Sequence, residues 1–377
     1  MFSWLTGGGA AFRDPGGVRI SVNDADIAEL YPLLTEVSVD ASRQGAVAAL
    51  TFAGVADETG AWLVQDGDAI RVRDAVLIEA AFGDQTEEVF RGFVVSVQPS
   101  YPRDQGRAQV LVDCRDETLS LDRTHRTYPW GADASTSDRE IAMRIADAHG
   151  LTLTAGSGEG QTGITVDQSG SDIAFLRERA RVNGYEFYVR AGELHFGPMQ
   201  TELEPQPTLM VYAGRRTNCL SLDIRDDAHR ADAVRFETAP AEGDAAVSEA
   251  ACSDLPPMGT EAARDRTSAA GSSEWRMQRA GGAPEEEVRA TARGIANEEA
   301  MRISAQGEAD GALYGHVLLT GAPVGVSGIG ARYSGRWYVE NVSHRFSAEG
   351  YTQGFRLIRN AYGDDLADAG GVLANVL

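Results

Sequence analysis

Lysine is absent from this sequence: all 34 basic residues are arginine. That excludes a phosphate-loop lysine, a Schiff-base lysine and a lysine general base. A GC-rich coding sequence, in which arginine codons replace lysine codons, accounts for the bias, and the exclusion holds whatever its origin. Positive charge as a whole is scarce. Against 56 Asp and Glu the formal net charge is −22, which opposes stable binding to a nucleic-acid backbone, because such binding needs a cationic surface to release counterions. Cysteine is rare as well. Cys114, Cys219 and Cys252 are far apart and form no CxxC, so neither a disulfide framework nor a zinc knuckle is expected. No run approaches the ~18 apolar residues of a membrane span. The opening MFSWLTGGGAAFRDPGG lacks the basic and apolar regions of a signal peptide. The expectation is a soluble chain made in the cytoplasm, without membrane insertion.

What is present is a mainly β pattern. From Arg19 to about Asp116, segments such as EVSVDAS, AVAALTFAG, AIRVRDAVLIEAAFG, VFRGFVVSVQPSY and AQVLVDCRD alternate apolar and polar residues between Gly- and Asp-rich turns. This predicts an all-β unit, sandwich or barrel. Residues 117–200 read as a small α+β module. Ser137-Asp138-Arg139-Glu140 is a capping box ahead of a helix that closes at His149-Gly150. Ser171 or Asp172 can cap a second helix, stopped at Asn183-Gly184, and YEFYVR and ELHFG form a hairpin through Ala191-Gly192. Strands resume at LMVYAG, LSLDIRDD and DAVRFETA. Residues 239–284, rich in Ala, Gly, Ser, Glu and Pro, predict an exposed loop or disordered insert. A helix is expected over 285–304, with Pro284 at its start and Glu285, Glu286 and Glu287 facing the helix dipole. HVLLTG, PVGVSGIG, RWYVENVSHRF and GFRLIRNAY then read as strands.

The stretch from Gly92 and the stretch from Gly335 echo one another: a strand, an aromatic, a polar-Gly turn and a final apolar alternation. A duplicated β unit with an α+β insert between the copies accounts for it, and so does chance similarity between two hairpins. The aromatics Phe93, Tyr101, Trp337, Tyr338 and Phe346 suit a core or an intersubunit surface. The apolar chain ends, with Phe2, Trp4 and Leu5 and then Val372, Leu373, Val376 and Leu377, suit docking tails or fraying termini.

No arrangement of residues carries recognisable catalysis. Residues 158–163, GEGQTG, satisfy GxGxxG, but a strand follows where pyrophosphate binding requires a helix. His125, His149, His195, His229, His316 and His344 form no HExxH and no i, i+4 pair. No GxSxG elbow is present. Glu178, Asp223, Asp226 or Asp227 can be paired on paper as glycosidase carboxylates, although among 56 acidic residues a solvated acidic face is the plainer reading. No catalytic, cofactor-binding or metal-ligating residue is singled out, no cofactor is expected, and the protein is read as not an enzyme.

Two stretches carry a family resemblance. SDIAFLRERARVNGYEFYVRAGELHFGP, residues 171–198, is similar to the helix-plus-hairpin signature of phage late-control D proteins, the baseplate hubs of contractile tails. GAPVGVSGIGARYSGRWYVENVSHRFSAEGYTQGFRLIR, residues 321–359, resembles that family's closing barrel, and the first half of VgrG spike proteins is similar too. LSLDIRDD, residues 220–227, sits where the family has a strand between the two. The resemblance implies an α+β, mainly β fold with two related β-barrel, hub-like domains. They would be organised as an N-terminal arm (1–18), a first barrel (19–116), an α+β module (117–200), a second barrel (201–360) containing the 239–284 insert and the 285–304 helix, and a C-terminal tail (361–377). It implies a homotrimeric ring joining a sixfold tail tube to a threefold spike. Tube protein, a separate spike protein and other baseplate proteins would be its partners, in a virion or extracellular injection particle. VgrG proteins continue into an oligosaccharide-binding-like domain and a β-needle that this sequence lacks, which implies a hub whose spike is another chain. A tail-associated polysaccharide or peptidoglycan hydrolase is the alternative.

Overall fold

The alternating segments assemble into one thirteen-stranded sheet. The computed structural model describes residues 17–237, 248–265, 271–277 and 284–366. The long strands of this sheet are numbered in chain order: β1 (Gly17–Val22), β2 (Leu34–Ser42), β3 (Gly45–Ala53), β4 (Ala75–Phe82), β5 (Gln85–Ser100), β6 (Gln109–Asp116), β7 (Cys219–Asp226), β8 (Ile303–Asp310), β9 (Pro323–Ser327), β10 (Gly335–Ser347) and β11 (Gly350–Arg359). The hydrogen-bonded order is β7-β8-β11-β10-β2-β3-β6-β5-β4-β1, with β9 paired to β10. The sheet encloses two apolar cores, the first of which also takes Val317, Phe346 and Tyr351 from the second half. Ile20, Val37, Val39, Leu50, Phe52, Ile78 and Val112 fill the first, and Ile303, Val324, Trp337, Val339, Phe355 and Leu357 fill the second. Period-2 alternation puts every second residue on the core face, so burial comes directly from the sequence pattern.

The two halves repeat one strand plan. Strands β2 to β6 correspond in order to β7 to β11, and the irregularities correspond too. The β5–β6 ladder slips between Val94 and Ser96, and the β10–β11 ladder slips between Val339 and Asn341. The β2–β3 ladder slips between Leu34 and Glu36, and the β7–β8 ladder between Cys219 and Ser221. Before the first slip, the Val94 amide donates to Asp74 and its carbonyl accepts from Arg73; Val339 does the same with Ala322 and Gly321. Arg73 and Gly321 both have positive φ, 83° and 71°. Bulges bend a strand at a specific place, so their coincidence marks a shared backbone plan. The ladders align Gly92 with Trp337 rather than with Gly335, so the repeated strand plan lies two residues away from the sequence echo. A two-residue shift preserves which face each residue takes.

Between the halves, α1 (Asp138–Ala148) and α2 (Asp172–Asn183) pack on strands Glu186–Arg190 and Glu193–Gly197 around Ile141, Ile145, Leu176, Leu194 and Phe196. The capping box is formed: the Glu140 amide donates to Ser137 Oγ, and the Ser137 amide donates to the Glu140 carboxylate. Gly184 ends α2 in the left-handed conformation (φ 64°), and Ala191 and Gly192 make the hairpin turn with φ of 51° and 77°. Ser171 precedes α2 without a side-chain cap bond.

Several expectations are corrected. The helix expected over 285–304 is α3 (Glu285–Ala300), because Ile303, fully buried, already belongs to β8. HVLLTG forms no strand. Its Val317, Leu318 and Leu319 amides donate to the side chains of Glu87, Gln353 and Gln206, while Val317 enters the first core and Leu318 the second. AIRVRDAVLIEAAFG is broken by a turn at residues 71–74 before β4. Described parts of the expected exposed insert are packed. Leu255 and Met258 are buried with Tyr338 and Ile358, and Glu261 and Ala262 pair with Tyr362 and Ala361. That pairing also carries ordered structure past residue 360, where a tail was expected. Of the aromatics, Trp337, Tyr338 and Phe346 are core, whereas Tyr101 is 57% exposed. The apolar chain ends lie outside the described residues, as do 1–16 of the expected N-terminal arm.

α3 packs on α2 through glycine. A Cβ on Gly294 would sit 2.3 Å from Gly184 Cα. In an exposed helix interior, Gly→Ala gains ~1 kcal/mol. Here the backbone collision dominates, and Gly294→Ala is expected to lose about 1–3 kcal/mol, read as a lower denaturant midpoint.

Candidate functional site

The residues weighed as chemical candidates do not converge. Residues 158–163 lie against α1 and Tyr185: the Gly160 amide donates to the Tyr185 hydroxyl, and a Cβ at Gly160 would strike Asp138. Strand Thr162–Ile164 follows, so no helix N-terminus is available for a phosphate. His125 begins an exposed strand. His149 contacts Asp172 at 2.9 Å, His229 contacts Asp227 at 3.2 Å, and His316 contacts Glu87 at 2.8 Å. His195 is buried between Thr154 and the Pro198 carbonyl, and His344 is buried against the Tyr351 hydroxyl. Burial lowers the pKa of these last two to about 4 and about 3, so both are neutral structural groups. Glu178 pairs with Arg181 on the surface. Asp223 lies on β7, Asp226 accepts from Arg332 and Tyr362, and Asp227 pairs with Arg225 and His229. Cys114 and Cys219 are buried thiols whose pKa values burial raises to about 12 and about 11; Cys252 is exposed. Among the described residues no group of three or more His, Cys, Asp and Glu side chains is placed to hold a metal ion. None of the described helices is long and apolar enough to cross a membrane.

The chemistry the sequence reading missed is an ion cluster built around the buried Arg43 and Glu186. Arg43, in the turn between β2 and β3, donates from Nη1 to Glu186 (2.9 Å) and Glu298 (2.8 Å), and from Nη2 to Glu298 and Glu340 (both 3.2 Å). These carboxylates come from the α+β module, from α3 and from β10. The Tyr338 hydroxyl donates to the other oxygen of Glu186 at 2.5 Å, and Arg356 pairs with Glu340. Burial by itself lowers the Arg43 pKa, but hydrogen bonds to Glu298 and the charges of Glu298 and Glu186 outweigh it, so the net shift is upward. Burial raises the pKa of Glu186 against the pull of Arg43. No local signal could reveal this cluster, because its members are up to 297 residues apart.

The other unusual feature is the sheet itself. Inside the chain the halves join edge to edge, β10 against β2, with Asn341 opposite Ser42 through Ser347 opposite Glu36. Besides the far end of the sheet, at β1 and the short strand Ala25–Asp26, and the outer side of strand Gln206–Met210, two further edges stand open: the outer side of β7 and the outer side of β5 beyond Val94. Among the described residues no strand pairs with either. Exposed apolar groups mark both, with Leu220 on β7 at 58% and Tyr101 just past β5 at 57%.

Two measurements test the buried groups. Arg43→Met leaves the buried Glu186 carboxylate without its cation and is expected to cost about 3–5 kcal/mol of stability, partly recovered by Glu186→Gln in the same chain, as read from urea midpoints. His344 has a folded pKa below its ordinary 6.5, so its contribution is fully present above pH 6.5 and is lost as pH falls toward 3. Between pH 6.5 and 4.5 the wild type is expected to lose roughly 2 kcal/mol more than His344→Gln, at ~1.4 kcal/mol per pH unit.

The fold is shared with known tail proteins. The 43 kDa tail protein of prophage MuSo2 from Shewanella oneidensis superposes with a TM-score of 0.67 at 13% identity, covering 92% of this chain and 98% of that one. A tail protein from Neisseria meningitidis MC58 gives 0.61 at 12%, covering 92% and 97%. The Escherichia coli c3393 protein gives 0.50 at 10%, covering 93% and 78%; it is a component of the type VI secretion system with structural similarity to T4 bacteriophage tail proteins gp27 and gp5. No curated protein matches in sequence. Residues 14–348 match the family model described as Alg8 N-terminal domain, and the chain belongs to that family.

Proposed function

We propose that this protein is a structural, non-catalytic baseplate hub of a contractile phage tail or phage-derived injection particle. Three copies form a ring that joins the sixfold tail tube to the threefold central spike. The observation that carries the reading is the repeat: two sheet units of the same strand order, with bulges in corresponding places, are joined edge to edge in a single chain. Three such chains present six similar units on one side of a ring, while their unlike inserts repeat only three times. A heterologous contact that closes builds this kind of ring. The proposed partners are the tail tube protein, the central spike protein and other baseplate proteins. A formal charge of −22 suits a ring through which nucleic acid or an acidic cargo passes without adhering. The fold's likeness to tail and type VI secretion proteins supports a place in a virion or injection particle. The late-control D resemblance of residues 171–198 and 321–359 supports the hub role within it.

Light scattering coupled to size exclusion tests the reading. The expected mass is about 121 kDa, three times the 40.2 kDa chain. A chain that stays monomeric, alone and with the spike protein of its own particle, overturns it.

A further inference from the structure

The internal junction is a template for the contact between chains. We infer that β7 of one copy adds to the outer edge of β5 of the next in the register that joins β2 to β10 within the chain. This rests on the ring reading above and states which residues meet. Because β2 corresponds to β7 and β10 to β5, each pair of the internal junction has a counterpart on these two edges and on no other open edge of the sheet. Ser343 opposite Asp40 becomes Gln98 opposite Arg225. Val342 opposite Ala41 becomes Val97 opposite Asp226, Arg345 opposite Ser38 becomes Ser100 opposite Asp223, and Phe346 opposite Val37 becomes Tyr101 opposite Leu222.

The chemistry of the edges agrees with that register. Exposed Tyr101 meets Leu222, an aromatic–aliphatic cross-strand pair of the kind that stabilises sheets. Arg225, 77% exposed at its side chain, meets Gln98, whose amide donates to the Asp113 carboxylate at 2.6 Å, so a guanidinium arrives beside an acid. At the internal junction the turn after β2 carries Arg43 to Glu340. The counterpart turn after β7, residues 227–230, faces the counterpart of Glu340, which is Val95. There the surface holds a depression of about 490 Å³ whose charged lining is Arg73, Arg115, Arg123 and Asp122. Three arginines to one aspartate suit an incoming Asp227, although Arg230 and His229 share its turn. The internal joint thus sets one arginine among acids, and the external joint sets an acid among arginines. This difference in sign favours β7 for the β5 edge over a second β2-like turn bearing arginine. Pro99 on β5 is a residue that sheet edges tolerate and one that limits indiscriminate strand addition.

Cysteine pairing tests the register. Directly opposed residues on one face have Cβ atoms ~4.5–5.5 Å apart, at the upper limit of disulfide reach. In a Cys252→Ser background, Gln98→Cys with Arg225→Cys is expected to link under oxidation into a covalent three-chain species that reduction returns to single chains. Gln98→Cys with Ile224→Cys, one residue out of register and on opposite faces, should remain unlinked. The reduced chain should melt as the wild type does. If it does not, Ser100→Cys with Asp223→Cys, another directly opposed pair, replaces it. A trimer by light scattering in which the in-register pair stays unlinked, or in which the offset pair links equally well, overturns this contact and leaves the ring reading standing. A protein that is monomeric in the same measurement overturns the ring reading itself.

Discussion

One edge-to-edge strand pairing holds the molecule together. Without β10 against β2 the chain would be two separate sheets, each with a core and each with an additional open edge liable to promiscuous pairing. The joint is sealed where β2 turns into β3. There Arg43 enters a space it shares with carboxylates of the α+β module, α3 and β10. A guanidinium offers five donors in a planar fork, and four of the bonds made here go to three different segments. In a low-dielectric site such bonds are strong when complete and costly when broken. The cluster therefore ties the α+β module and α3 to the junction.

The two halves share little sequence, yet they share a strand order and the places of its bulges. A bulge adds one residue to a strand and turns its direction, so moving it would displace every side chain beyond it. The positions near Val94 and Val339, and near Leu34 and Cys219, carry matching bulges although the side chains around them differ. The halves differ where their surroundings differ. Glu340 faces the internal joint and its counterpart Val95 faces outward. Arg359 is buried under Trp337, giving hydrogen bonds to the carbonyls of Met258, Tyr333 and Ser334, while Asp116, its counterpart, accepts from Ala46 and Thr118.

Elements set by their own few residues were legible in the sequence. The Ser137 capping box, the Gly184 stop and the Ala191-Gly192 turn depend on contacts spanning about four residues, and each formed where the pattern indicated. Strands with strong alternation were legible as well. β8 was not, because it buries only Ile303, Ala305 and Ala309 and its small residues carry almost no hydrophobic period. HVLLTG failed in the opposite sense. It has the apolar letters of a strand, but adjacent residues serve two different cores and side chains satisfy its amides. The packed part of the Ala- and Gly-rich insert was hidden because Met258 and Leu255 are held by Arg359, Asn360 and their neighbours about a hundred residues away.

By itself, then, the sequence determined the fold class, the placement of the capped helices and the absence of any familiar catalytic motif, since these follow from local propensity, periodicity and composition. It also held an echo, two residues away from the repeat that the ladders show. Only the tertiary structure decided which edge meets which, where the bulges fall, and that Arg43 rather than any histidine or paired aspartate is the electrostatic centre. Those outcomes depend on groups brought together from opposite ends of the chain, and no short window of residues records which distant carboxylate a guanidinium will find once water has been excluded.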